Sequence, residues 1–303
     1  MTSLPDFKSA PVTVADAPFN DPDADVVLCS ADNVHFRVYK LLLGLASPVF
    51  KDMFRLPQPP PAPGSADESG RPIIPITEDR RTVDTMLRFC YPSTTATLDN
   101  LGDVRAVLEA LIKYDMRNDL PLVRNRLASP DFIKKEPLRV FAIAYRYKLK
   151  EEAILAVKES VHHPFLGPLV SELEHIPASG FYHYLKYRAL CAGRVYRVVD
   201  PKCASSAWSR FAWAEYANCG CWHVSVGAFS WRFWFFSYVR SVVESLHLLS
   251  PETLADSVGL SVLDKACGPC ATRGRKDLPA FIAGIVVPEM RKAISEVSHV
   301  AIC

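Results

Sequence analysis

Two hydrophobic periods alternate along the first part of the chain, and the switches between them mark out the elements. The run Val26-Val27-Leu28, the polar turn Ala31-Asp32-Asn33 and the placement of Phe36 and Val38 on one face predict a β-hairpin. Lys40-Leu41-Leu42-Leu43 then predicts a short apolar helix that Gly44 weakens or ends. Ser47-Pro48 has the form of a helix cap followed by proline at the first helical position, and Val49, Phe50, Met53 and Phe54 follow at helical spacing. Ile73-Ile74-Pro75-Ile76 is β-branched with a proline that suits an edge strand. Thr77 is placed to cap a helix carrying Val83, Met86, Leu87 and Cys90, which stops at Tyr91-Pro92. After a loop over 93–100, Val104, Val107, Leu108, Leu111, Ile112 and Tyr114 predict another helix, and 120–127 one more.

Beyond that point helical spacing dominates. Helices are expected from Ser129-Pro130-Asp131, from Pro137 (Val140, Phe141, Ala144 and Tyr145 on one face), and over 149–161, 165–173 and 177–191. Alanines at 142, 144, 153 and 156 permit close helix approach. Near residue 192 the composition shifts: all five tryptophans lie between Trp208 and Trp234, and six of the nine cysteines between Cys203 and Cys303. Trp231, Trp234, Phe235, Tyr238, Val242, Leu246 and Leu249 make one apolar face, followed by a helix start at Ser250-Pro251-Glu252. The expected organisation is a mobile tail (1–23), an α+β domain (24–128) interrupted by a Pro-rich loop (56–72), a helical extension (129–191) and a Cys/Trp-rich helical domain (192–303).

Asp25, Val26, Leu28, Phe36, Lys40, Leu43, Ser47, Phe50, Met53 and Phe54 occur in an order that resembles the opening of the BTB/POZ domain. The stretch from Phe50 to Gln58 is similar to the fungal branch of that family, and the strand and helix ending at Tyr91-Pro92 resemble its third strand and third helix. The sequence departs from the pattern at Tyr39, where the family has histidine. The resemblance implies a short sheet with flanking helices and a partly buried Asp25–Lys40 ion pair, and residues 129–191 resemble the helical extension that follows many such domains. It also implies a non-enzymatic protein–protein interaction module, an adaptor or scaffold that homodimerises largely through its first helix and an N-terminal strand. Its expected partners are a cullin-type ubiquitin ligase or transcriptional regulators, and the implied interaction surface comprises Leu42, Leu43, Phe50, Met53 and Phe54. The Pro- and Asp-rich start of the chain argues against a strand-swapped dimer.

Composition narrows the classes. A net charge of +2 supplies no global field toward DNA or a membrane. The greasiest stretch, 224–239, contains Arg232 and is shorter than the ~20 apolar residues a helix needs to cross a bilayer. An N-terminus without a basic-then-apolar leader and an odd count of nine cysteines predict an intracellular protein, in the cytoplasm or nucleus, with unbridged thiols or a metal site.

Two chemical readings remain. Cys267-Gly268-Pro269-Cys270 has the letters of a thiol-disulfide oxidoreductase motif, but Ala266 replaces the tryptophan usual before it and no βαβ pattern surrounds it. The alternative is structural zinc held by Cys219, Cys221, Cys267 and Cys270, with Cys203 and His223 as alternates, because two closely spaced cysteine pairs supply the four thiolates zinc favours. The pair His162-His163 reads as a helix-end feature, and the basic groups Lys186, Arg188, Arg194, Arg197, Lys202, Arg210, Arg273, Arg275 and Lys276 as a solvated face rather than a nucleic-acid surface. No Ser-His-Asp set, phosphate-cradling loop or paired acid and base accompanies them, so an enzyme is not expected.

Overall fold

The computed structural model describes residues 13–56, 66–92, 94–164, 167–199, 221, 223–226, 229–245 and 261–297. The chain divides into two compact units, Met1–Phe132 and Ile133–Cys303.

The first unit is built on a four-stranded sheet in the order β1-β3-β2-β4, with β1 Thr13–Val14, β2 Val26–Cys29, β3 Val34–Val38 and β4 Ile73–Pro75. The expected hairpin forms: Val26 faces Val38 and Leu28 faces Phe36 in antiparallel register. Asn33 closes the turn at φ 61°, a left-handed conformation that asparagine tolerates better than most residues. β4 joins β2 in parallel and lies at one edge, where Pro75 leaves no central ladder bond unmade. Central β2 is buried on both faces at Val26, Val27 and Leu28, whereas β3 alternates, with Val34, Phe36 and Val38 inward.

Helices α1 (Lys40–Ala46), α2 (Pro48–Arg55), α3 (Arg80–Cys90), α4 (Leu101–Lys113) and α5 (Leu120–Leu127) complete this unit, with the single turn α6 (Pro130–Ile133) at its boundary. Leu43, Phe50, Val83, Met86, Leu87, Val104, Val107, Leu108 and Leu111 fill its core. Full burial of each such side chain contributes ~1.5–3 kcal/mol.

Four local expectations are corrected. α1 runs through Gly44 and ends only at Ser47, because its last turn is already hydrogen-bonded to Leu43. Asp79, not Thr77, caps α3 by accepting from the Thr82 N–H. Ile112 is exposed, since the buried stripe of α4 passes through Leu108 and Leu111. The tail expected through residue 23 is ordered from Thr13: β1 runs parallel to β3, and the Phe19 ring is fully buried, edge-on to Tyr91 with centroids 5.2 Å apart.

In the second unit α7 (Pro137–Arg146) and α8 (Lys150–Ser160) pack closely through small residues, with Ala142, Ala144, Ala153 and Ala156 buried. The helix expected over 165–173 is instead a 3-10 turn at Ser171–His175, held where Glu172 accepts from Arg139. α9 (Ala178–Val199) continues past the boundary expected at 192, so the helical extension and the Cys/Trp-rich part share one unit. That last part is not wholly helical: His223–Val226 (β5) and Phe229–Arg232 (β6) pair antiparallel, which places Trp231 in a strand. The helices α10 (Phe233–Ser245), α11 (Gly268–Phe281) and α12 (Val287–Ser295) follow. Pro279 lacks the N–H for its helical bond, and α11 passes into a π-helical turn at Ile282–Val286. Trp234, Phe235, Tyr238, Leu263, Leu278, Phe281 and Met290 form the local core. The apolar positions Leu246 and Leu249 and the helix start at Ser250 lie outside the described residues.

Candidate functional site

In the first unit the two short helices after the hairpin carry the apolar groups that remain in water. Ser47 makes this geometry: its side chain accepts from the Phe50 N–H, Pro48 follows in the first turn, and so α2 begins directly after α1 ends. Asp25 accepts from the Lys40 main-chain N–H at 2.8 Å, a helix-start contact where the resemblance implies a partly buried ion pair. Tyr39, at the departure from the family pattern, donates from its hydroxyl to Asp21 at 2.7 Å, and that bond pushes its pKa up to about 12.

The five residues implied as an interaction surface separate into two groups. Leu43 and Phe50 are fully buried and belong to the core, so they are corrected out of any contact face. Leu42, Met53 and Phe54 are half-buried. The prominent exposed apolar groups are Leu41 at 72 % and Leu45 at 73 %, one helical turn apart on α1, with Val49 and Leu56 on α2 and at its end. The leucine-rich run itself was the only signal for Leu41 and Leu45, and it could not show which side would face out.

A hollow of about 540 Å³ in the same unit is lined by Arg88, Thr94, Leu98, Leu122 and Arg126, among others. Its two guanidinium groups serve the protein itself. Arg88 donates to Asp84 at 2.7 Å, and Arg126 to the Leu98 carbonyl and Asp131, both at 2.8 Å.

The second unit brings three of the four expected metal ligands together. Cys267 is the residue that caps α11, Cys270 lies in its first turn and is buried, and Cys221 lies two residues before the start of β5. Their sulfurs all lie within 4.8 Å of one another, and the Cys267 N–H donates to the Cys221 sulfur at 3.3 Å. Such a cluster can hold a metal. Cys219 and Cys203 lie outside the described residues, as does the side chain of His223. The segment entering the motif is a 3-10 turn at Ser261–Lys265, not the strand that leads into a thiol-disulfide motif.

Other sequence candidates are structural. Arg188 is buried and donates to the His163 and Pro164 carbonyls at 2.6 and 3.0 Å, which removes it from the basic face and gives the His162-His163 turn its role. Arg273 and Arg275 lie near Asp277 and Asp264, at 3.7 and 3.9 Å. Lys202 and Arg210 are outside the described residues. No helix among the described residues is long and apolar enough to cross a membrane.

The first unit is thus a small mixed sheet walled by short helices, with Leu41 and Leu45 left outside. Comparison with family models assigns it: residues 19–128 match the BTB/POZ domain, so this chain carries a BTB/POZ domain, a protein–protein interaction module. The match begins at the buried Phe19, inside the expected tail. No curated protein matches the chain.

Proposed function

We propose that this protein is a non-enzymatic docking adaptor whose BTB/POZ domain pairs with a second copy through the outer face of α1 and recruits a cullin-type ubiquitin ligase. The second unit holds the protein to be presented, and the place of action is the cytoplasm or nucleus. One observation carries the reading: Leu41 and Leu45 lie bare on successive turns of a helix in a domain of the interaction class. Large aliphatic side chains adjacent on a surface cost solvation that a partner face removes. Leu42, Met53 and Phe54 are half-buried in the same two helices and can extend the contact. In this reading the thiol cluster of the second unit supplies structure rather than chemistry.

The test is sizing of the full chain by light scattering together with affinity capture of a cullin. Wild type is expected as a dimer that captures the ligase scaffold. The double variant Leu41→Glu/Leu45→Glu is expected as a folded monomer. A wild-type monomer at every concentration removes the dimer, and capture of chromatin factors without a cullin moves the protein to the transcription-associated class.

A further inference from the structure

We infer that Cys221, Cys267 and Cys270 bind zinc(II), and that the ion ties the β5–β6 hairpin to the start of α11. The inference takes the structural role given to the cluster above one step further, to a particular ion, and is independent of the docking face, which belongs to the other unit.

Geometry is the first argument. Zinc–sulfur bonds of ~2.3 Å in a tetrahedral site keep the sulfurs about 3.8 Å apart, so sulfurs within 4.8 Å of one another need only small side-chain rotations to close on an ion. Two of the three are held at fixed spacing by one helix end. Cys267 sits in an extended conformation (φ −66°, ψ 158°) at the cap, and Cys270 follows one turn later. The third arrives from a segment 46 residues earlier in the chain.

The surroundings suit sulfurs held on a metal ion. The Cys267 N–H already points at the Cys221 sulfur, the kind of contact that steadies a metal-bound thiolate. The N-terminus of α11 adds the positive end of a helix dipole. Cys221, Ala266 and Cys267 pack against a core that includes Trp234, Phe235, Leu263 and Phe281. Several thiolates beside so apolar a surface require a cation, and an all-sulfur set selects a soft divalent metal rather than calcium or magnesium.

The count argues in the same direction. A disulfide between Cys267 and Cys270 would leave the Cys221 sulfur in the cluster unused, whereas one zinc ion employs all three. Binding displaces a proton from each thiol, so occupancy falls as the solution is acidified. For the fourth position the sequence offers Cys219 and His223, each two residues from Cys221, and their substitution separates a protein ligand from water.

The experiment uses the full chain purified reduced from zinc-supplemented growth. Elemental analysis is expected to give roughly one zinc per chain. Replacement by cobalt(II) should give intense visible bands of a tetrahedral ion and ultraviolet thiolate-to-metal charge transfer. Cys267→Ser or Cys270→Ser should lower zinc content at least fivefold, while Cys29→Ser in β2 keeps it. If these variants fail to fold, the wild-type cobalt spectrum decides. Reduced wild-type chain without stoichiometric metal, a cobalt spectrum lacking thiolate charge transfer, or a Cys267–Cys270 disulfide in chain trapped at lysis by thiol alkylation each overturns the site. None of these outcomes bears on dimer formation, so this inference and the adaptor reading fail separately.

Discussion

The hydroxyl of Ser47 donates to the main-chain carbonyl of Tyr114 and accepts from the Phe50 N–H, so one buried side chain both starts α2 and fastens it to the end of α4. Above this contact the Phe50 and Tyr114 rings stack with centroids 4.5 Å apart. Ser47→Ala removes a helix cap and a buried hydrogen bond together. A loss of about 2 kcal/mol is expected for the first unit. Urea unfolding followed by circular dichroism should show an earlier transition. Tryptophan fluorescence should stay unmoved, because all five tryptophans lie between residues 208 and 234, in the second unit.

The separation of Leu43 and Phe50 from Leu41 and Leu45 predicts two opposite phenotypes on neighbouring turns. Phe50→Ala empties a fully buried site and should cost ~3–5 kcal/mol. Leu41→Ala or Leu45→Ala changes a side chain already in water and should alter stability by no more than about 0.5 kcal/mol. Only the second pair should weaken self-association measured by light scattering at graded concentrations. If Leu41→Ala and Leu45→Ala dimerise as wild type does, the outer face of α1 is not the contact.

The sequence made some of this legible, and the physical reasons differ by element. The hairpin could be read because period-two alternation and an Asn33 turn specify pairing locally. The start of α2 could be read because Ser47 and Pro48 are a cap with a mechanism. The orientation of α1 could not: six of its seven residues are leucine, glycine or alanine, and a helix apolar on every side does not announce which stripe is buried. β1 was hidden because two residues pairing with β3 carry no periodic signal of their own. That Cys221, Cys267 and Cys270 would come together could be read from spacing, since closely spaced cysteines point to a shared site. The β5–β6 hairpin was missed because Trp231 and Trp234 also fit a helical face.

Glu78 predicts a pH dependence confined to the first unit. Burial alone would raise its pKa, but the hydrogen bonds donated by Lys113 at 2.7 Å and by the Tyr114 hydroxyl at 2.8 Å, with the Lys113 charge, hold it below its ordinary value. A carboxyl depressed in the folded state contributes stability that is complete above its unfolded pKa of ~4.3 and is lost as the pH falls through the folded value. Glu78→Gln should therefore lower stability by about 1 kcal/mol at neutral pH. The gap to wild type should close on acidification. A constant gap down to strongly acidic solution would show that the loss is one of packing and not of charge.

In the second unit, Gly180 and Tyr145 predict a substitution whose sign depends on its neighbour. A β-carbon added at Gly180 would sit 2.6 Å from Tyr145 Cε1 and 2.9 Å from both Cδ1 and Cζ of the same ring. That ring leans on Phe141, with centroids 5.6 Å apart, so it cannot turn aside without disturbing a buried aromatic contact. Gly180→Ala gains up to ~1 kcal/mol of helix propensity and meets an overpacking cost of ~1–3 kcal/mol, so a net loss is expected. In a Tyr145→Ala background the obstruction is gone and only the propensity remains. There Gly180→Ala should be neutral or stabilising, which a double-mutant cycle from urea midpoints would measure as coupling of ~1–3 kcal/mol. Additive effects would mean that the ring moves away at no cost, and that the approach of α9 to α7 at this point is set by other side chains.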